Sequence, residues 1–250
     1  MTIADITDTR GAEMFARYAY APNQLGYCGP RESSALLNGG RAEIERAARR
    51  FTGAWPYLRV MSRLTGIPDP LDLRLVESYW LGGGAGSTMD SHAFTAELMA
   101  IIAPQAGHYW AHLTEDLAEE AAANHGFHVF GVYPWSRLLG RGVDEHPVSV
   151  LDNCRISWGT VLSTDGDTAL VVSQQLCFTG SSLSLSGPRT RRVGVRTGEG
   201  RPIAVRRGDL VAMHWGWVCD RLIPEQLARL KDSTHRQLAA TNRRLRAQAP

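Results

Sequence analysis

Lysine is almost missing from this chain of 250 residues: Lys231 stands alone beside 26 arginines. The imbalance reads as genomic composition bias rather than as chemistry. Also missing is any apolar run long enough to span a bilayer, which excludes a transmembrane helix. The opening segment MTIADITDTRGAEMF has no basic stretch leading into an apolar core, which argues against a secretory signal and for the cytoplasm. Cysteine is scarce, with four residues at 28, 154, 177 and 219. In a reducing cytoplasm these are expected as thiols rather than disulfides. No Cys-x-x-Cys pair occurs, which argues against a structural zinc finger. Without a Gly-x-Ser-x-Gly elbow there is no hydrolase nucleophile of that type. The glycine run Gly82–Gly86 lacks both a preceding strand and a following Lys-Ser/Thr, so it is a poor phosphate loop and reads instead as a hinge.

What remains is ordinary globular composition with an uneven charge. Residues 1–150 carry 12 basic against 17 acidic side chains, a net of −5. Residues 151–250 carry 15 against 8, a net of +7. Such a split suggests two modules with different surfaces, or two halves that attract each other.

The first half reads as helical. Arg10–Tyr20 is amphipathic and ends at the turn signal Ala21-Pro22-Asn23. Glu32–Leu37, Ala42–Phe51 and Trp55–Leu64 follow, then a helix to Leu81 entered through an Asp69-Pro70 cap. Ser91–Ile102 and Trp110–His125 are two more. Phe127–Val132 fits a short strand or a buried helical turn equally well. From Ser149 the texture changes to short β-branched runs: Ile156–Leu162, Ala169–Ser173, Leu183–Leu185, Arg191–Val195 and Leu210–His214. Asp165-Gly166-Asp167 between two of them is a hairpin signal. After Pro224, Leu227, Leu230, Leu238 and Leu245 recur at helical spacing. The expected fold is therefore α+β: a mainly helical domain over 1–148, then a small OB-like barrel with a C-terminal helix over 149–250.

Two segments carry the chemistry. Asn153-Cys154-Arg155-Ile156-Ser157-Trp158-Gly159-Thr160-Val161 reads as a strand with a cysteine at its start. Gly208-Asp209-Leu210-Val211-Ala212-Met213-His214-Trp215-Gly216-Trp217 reads as a strand with a histidine near its end. A barrel would bring thiol and imidazole together as a soft-metal site. In the order of these motifs, though with a longer stretch between them, residues 150–240 resemble the HypC/HupF accessory proteins of [NiFe]-hydrogenase maturation. Their patterns Cys-x-x-x-Pro-Gly-x-Val and Gly-Asp-x-Val-x-x-His-x-Gly-aromatic are met here, except that Trp158 replaces the proline and Cys154 is internal. The whole chain is also similar to an uncharacterised two-part bacterial family.

The HypC/HupF resemblance implies an accessory or chaperone role. Cys154 would hold an iron fragment ligated by cyanide and carbonyl, with His214 beside it. A hydrogenase large-subunit precursor or other maturation proteins would be its partners. The alternative is a metalloenzyme with its site between helical domain and barrel, built from Cys28, Cys154, His214 and His128. Cys28 lies in a glycine-bracketed loop that suits either a reactive thiol or a structural turn. His125 and His128 form H-x-x-H without the acidic residue of zinc hydrolases. His108 and His112, with Glu115 and Glu119 beyond, offer a further metal constellation or a solvated helix face. Cys177 and Cys219 read as structural. The absence of exposed aromatics interleaved with arginines argues against a nucleic-acid partner.

Overall fold

The computed structural model of the chain describes residues 8–31, 34–105, 113, 115–196 and 201–247. Helix α1 (Arg10–Gln24) runs through Pro22 rather than stopping before it. A proline costs a helix its hydrogen bond to the carbonyl four residues back, here Tyr18, and that carbonyl is used elsewhere in the fold. Short helices α2 (Ala35–Asn38) and α3 (Arg41–Ala48) lead into α4 (Ala54–Thr65), closed by left-handed Gly66. Helix α5 (Leu73–Leu81) starts one turn later than the Asp69-Pro70 signal suggests. Asp69 closes a turn onto the Leu71 N–H, and Asp72 is the true cap, accepting from the Arg74 N–H at 2.9 Å.

The glycine run is no hinge. Residues Gly84–Thr88 form a tight 3₁₀ turn in which Gly86 N–H donates to Ser78 Oγ at 2.8 Å. A Cβ on Gly82 would come within 2.4 Å of Ser233, so this glycine marks a close approach to the C-terminal helix. Helix α6 (Ser91–Ile102) follows, capped by Asp90. The helix expected over 110–125 is not continuous: residues 115–119 form a 3₁₀ turn, and helical geometry resumes only at α7 (His125–Phe127). His108 and His112 lie outside the described residues. The segment 127–132, which fitted strand or helix, is helical, since α7 passes into a π-helical turn over His128–Val132.

Helix α8 (Glu145–Cys154) runs across the boundary between the two halves. Strands β1 (Ser157–Asp165), β2 (Thr168–Ser173), β5 (Arg189–Gly194), β6 (Leu210–His214) and β7 (Trp217–Arg221) close a barrel in the order β1-β2-β5-β7-β6. Only β5 and β7 pair in parallel. With the side hairpin set apart, this is a five-stranded Greek-key barrel of the OB kind. That hairpin pairs β3 (Leu176–Phe178), a strand not expected from the sequence, with β4 (Leu183–Leu185), which is. A Cβ on Gly159 would lie 2.3 Å from Val171, so β1 and β2 can pack as they do only around glycine.

Helix α9 (Pro224–Ala247) lays Leu230, Leu238 and Leu245 onto the body of the protein. Barrel and helices share their core. One cluster joins Phe15, Tyr57 and Trp80 of the helical half to Trp158, Ala212 and Cys219 of the barrel. A separate cluster of Val161, Val171, Val193, Val211, Met213 and Val218 fills the barrel. The charge split has a structural counterpart. Arg17 pairs with Asp220, Glu77 with Arg229 and Glu120 with Arg244, two of the three joining an acid of the first half to a base of the second.

Candidate metal centre

Side chains alternate along β6, so Val211 and Met213 enter the barrel while Ala212 and His214 face the helices. His214 thus leaves the barrel at its last residue and enters the helical core. Its Nδ1 lies 2.8 Å from the Tyr18 carbonyl, the one that Pro22 leaves without a helical partner. A carbonyl only accepts, so Nδ1 carries the proton and Nε2 presents a bare lone pair. That Nε2 is buried and has no hydrogen-bond partner. A metal-ligating histidine is oriented in this way, by a backbone acceptor on its far nitrogen.

His125 is set by Asn124, whose side chain accepts from the Phe127 N–H at 3.0 Å and starts α7. Its Nε2 donates to the Cys154 carbonyl at 2.8 Å, and its Nδ1 lies 3.1 Å from the Tyr79 hydroxyl. The carbonyl fixes the proton on Nε2, so Nδ1 accepts from Tyr79. A rotation of that hydroxyl releases the lone pair.

Cys154 does not open a strand. It is the last residue of α8, ended where Arg155 turns extended (φ −65°, ψ 147°), and β1 starts only at Ser157. Asp152 is the reason: it accepts from both the buried Arg155 guanidinium and the Leu176 N–H, tying the end of α8 to β3.

The three residues come from helix, helix end and strand, and their ligand atoms all lie within 4.8 Å of one another. They are 6%, 8% and 2% exposed. Burial holds His214 down to about 4 and pushes His125 well below the usual histidine value, so both are neutral bases. Burial also pushes the Cys154 thiol far up, and the Cys28 thiol adds to that shift. Against it, the indole N–H of Trp215, which has no conventional partner, favours the thiolate. A buried thiol and two neutral imidazoles form a donor set of the kind borderline and soft divalent metals take, and a cation would restore the thiolate that burial disfavours. The residues fit a metal. Among the described residues no other cluster of this kind occurs.

The wall around the centre is aromatic. Trp80 lies 4.9 Å from the His125 ring and 5.8 Å from the His214 ring, centroid to centroid. Trp215 has φ +50°, the one non-glycine residue with positive φ among the described residues, and forms with Gly216 (φ +75°) the β6–β7 turn. Its ring stacks on Tyr27 at 3.8 Å, which folds the Leu25–Pro30 loop over this side of the centre.

Of the residues the sequence singles out, Cys154 and His214 meet as expected. His128 stands beyond the group, its ring 6.0 Å from His125 and 4.4 Å from Tyr133, and its pKa is lowered by burial to about 4. Cys28 lies in the loop under Tyr27, outside the group, its thiol pushed up to about 12 by burial. Cys219 is buried in the shared core, whereas Cys177 is only half-buried. His125 is the member of the H-x-x-H pair that the expected site omits, taking His128 in its place.

A model of a family described as being of unknown function, DUF6390, matches residues 7–248. The chain belongs to that family. No curated protein and no solved structure matches it. The DUF6390 match takes in the helical half and the barrel together, with all three donor residues inside it. None of these findings is a match to HypC/HupF proteins. No helix among the described residues is long and apolar enough to cross a membrane.

Proposed function

We propose that this protein is a metal protein whose resident ion, iron by preference, is held by Cys154, His214 and His125. The observation that carries the reading is the convergence of three buried donors from separate elements, one of them a histidine whose Nε2 has no other partner. A bound metal would supply Lewis-acid or one-electron chemistry at this point. The chain's own residues do the rest. The Tyr18 carbonyl holds the His214 tautomer, Tyr79 holds or releases the His125 lone pair, and Trp215 stabilises the thiolate. The surrounding rings exclude water. Depth of burial favours a fixed centre, as in a metalloenzyme, over a ligand presented to partners.

The second reading is the carrier role, in which Cys154 receives a cyanide- and carbonyl-ligated iron fragment during hydrogenase maturation. The closed five-stranded barrel and the pairing of Cys154 with His214 favour it. In that reading the partners are a hydrogenase large-subunit precursor or its maturation proteins, and the Tyr27–Trp215 stack is the part that opens.

The test is metal analysis of protein purified without oxygen, alongside Cys154→Ala and His214→Ala. The expected result is about one ion per chain in the parent protein and a loss of at least tenfold in affinity in each variant. Parent protein that stays metal-free after growth with iron and zinc would sink the proposal. Infrared bands of iron-bound cyanide or carbonyl, lost in Cys154→Ala, would select the carrier reading.

A further inference from the structure

Behind the segment that leads into His125 lies a second feature with no part in the metal centre. A cavity of about 360 Å³ opens between the 3₁₀ turn Gly84–Thr88, the start of α6, residues 119–124 and one face of α9. Its volume falls in the range of small-molecule sites. Four of its lining groups are chemically informative.

Arg236 and Arg243 stand seven residues apart on α9, on one face and about 10 Å apart along the axis. Neither guanidinium has an acidic partner among the described residues, whereas Arg229 and Arg244 on the same helix are paired. Arg236 gives its Nε to the Asp232 carbonyl at 3.4 Å, and its terminal nitrogens, like the guanidinium of Arg243, are left to call for an anionic oxygen group. Deeper in, Gln237 is only 3% exposed, yet its Nε2 has no hydrogen-bond partner. Glu120 gives one oxygen to Arg244 at 2.7 Å and leaves its buried Oε2 without a partner. A buried orphan donor and a buried orphan acceptor on one cavity are each costly unless a ligand meets them. A hydroxyl group does both at once, accepting from Gln237 and donating to Glu120.

We propose that this cavity binds a small hydroxylated organic anion, its acid group at Arg236 and Arg243 and its hydroxyl between Gln237 and Glu120. The anionic group is a phosphate or a carboxylate, and both share this recognition chemistry. Asn124 lines the same cavity and caps the helix that carries His125, so the occupant sits one residue from the metal centre without touching it.

Calorimetric titration of the full chain tests this with glycerol 3-phosphate in one arm and malate in the other. Inorganic phosphate and succinate, which lack the hydroxyl, serve as controls. Saturable binding of either hydroxylated probe, tighter than its control, supports the site, and the arm that binds identifies the acid group. Arg236→Ala with Arg243→Ala should weaken that binding at least about tenfold, the size of a lost charge-assisted hydrogen bond. These arginines are exposed, so the double variant should fold as the parent does. Gln237→Leu should erase the advantage of the probe over its control. No binding of either probe at millimolar concentration, or parent-like binding by both variants, would overturn the proposal. Metal content is unaffected in every arm, so this test stands or falls apart from the metal reading.

Discussion

Pro22 shows how far one residue can reach. By lacking an N–H it leaves the Tyr18 carbonyl to His214, across almost two hundred residues of sequence. Pro22→Ala would return a competing helical N–H to that carbonyl. The expected outcome is a folded protein with a metal affinity weakened by roughly ten- to a hundredfold, the usual size of losing an outer hydrogen bond to a ligand, read by competition with a chelator. His128 permits a pH test. Its folded pKa is about 4, against roughly 6.5 for an unfolded histidine. Between those values the unfolded chain binds more protons, so stability is full above about pH 6.5 and falls as pH drops toward 4. The shift is worth up to roughly 3 kcal/mol. In metal-free protein, His128→Asn should flatten the fall in melting temperature over that window, and an unchanged slope would count against a buried neutral ring.

At the scale of elements, the end of α8 decides where Cys154 sits. Asp152 is the acceptor for a guanidinium that is 2% exposed, at 2.8 Å. Asp152→Ala should cost about 3–5 kcal/mol in denaturant unfolding, since the cation is left buried without an acid, with the Gln174 carbonyl and the face of Trp158 beside it. A loss below 1 kcal/mol would mean that the cation escapes to water. The β6–β7 turn gives the opposite expectation. Trp215→Gly relieves a positive φ worth of order 1 kcal/mol but removes the stack on Tyr27. Stability should change little while Cys154 becomes faster to alkylate, measured by peptide mass analysis. An alkylation rate equal to that of the parent protein would show that the indole does not shield the thiol.

The whole molecule was partly legible. β-branched runs with an Asp-Gly turn give away β1 and β2, and the leucine spacing gives away α9. Strand periodicity places His214 near the end of β6, hence on the rim. Less legible was whatever depends on distant partners. Cys154 is helical because Asp152 binds Arg155, three residues on, and also the Leu176 N–H of β3, and the second contact is one that no local pattern encodes. His125 takes the place expected of His128 because its ring is held by the Cys154 carbonyl and Tyr79, one of them 29 residues away in sequence and the other 46. The Gly82–Gly86 run leads into a 3₁₀ turn, with Gly82 and Gly83 closely approached by Ser233 and Arg229 of α9, partners 146 or more residues away. Shared core also bears on the two-part layout. Residues 149–250 alone would expose Trp158, Ala212 and Leu222, which are buried against the helices. Expressed by itself the barrel segment should bind hydrophobic dyes and aggregate. A soluble fragment with sharp thermal unfolding would refute that.

The burial of His125, Cys154 and His214 has a kinetic side. Ions enter and leave exposed sites at rates set by ligand exchange, but here each donor lies behind packed rings and comes from a different segment. Removal of a bound ion then waits for the fold itself to open. Loss to excess chelator should be independent of chelator concentration and should quicken with denaturant in step with unfolding. A centre of this kind is filled as the chain folds, and it keeps the ion it first receives.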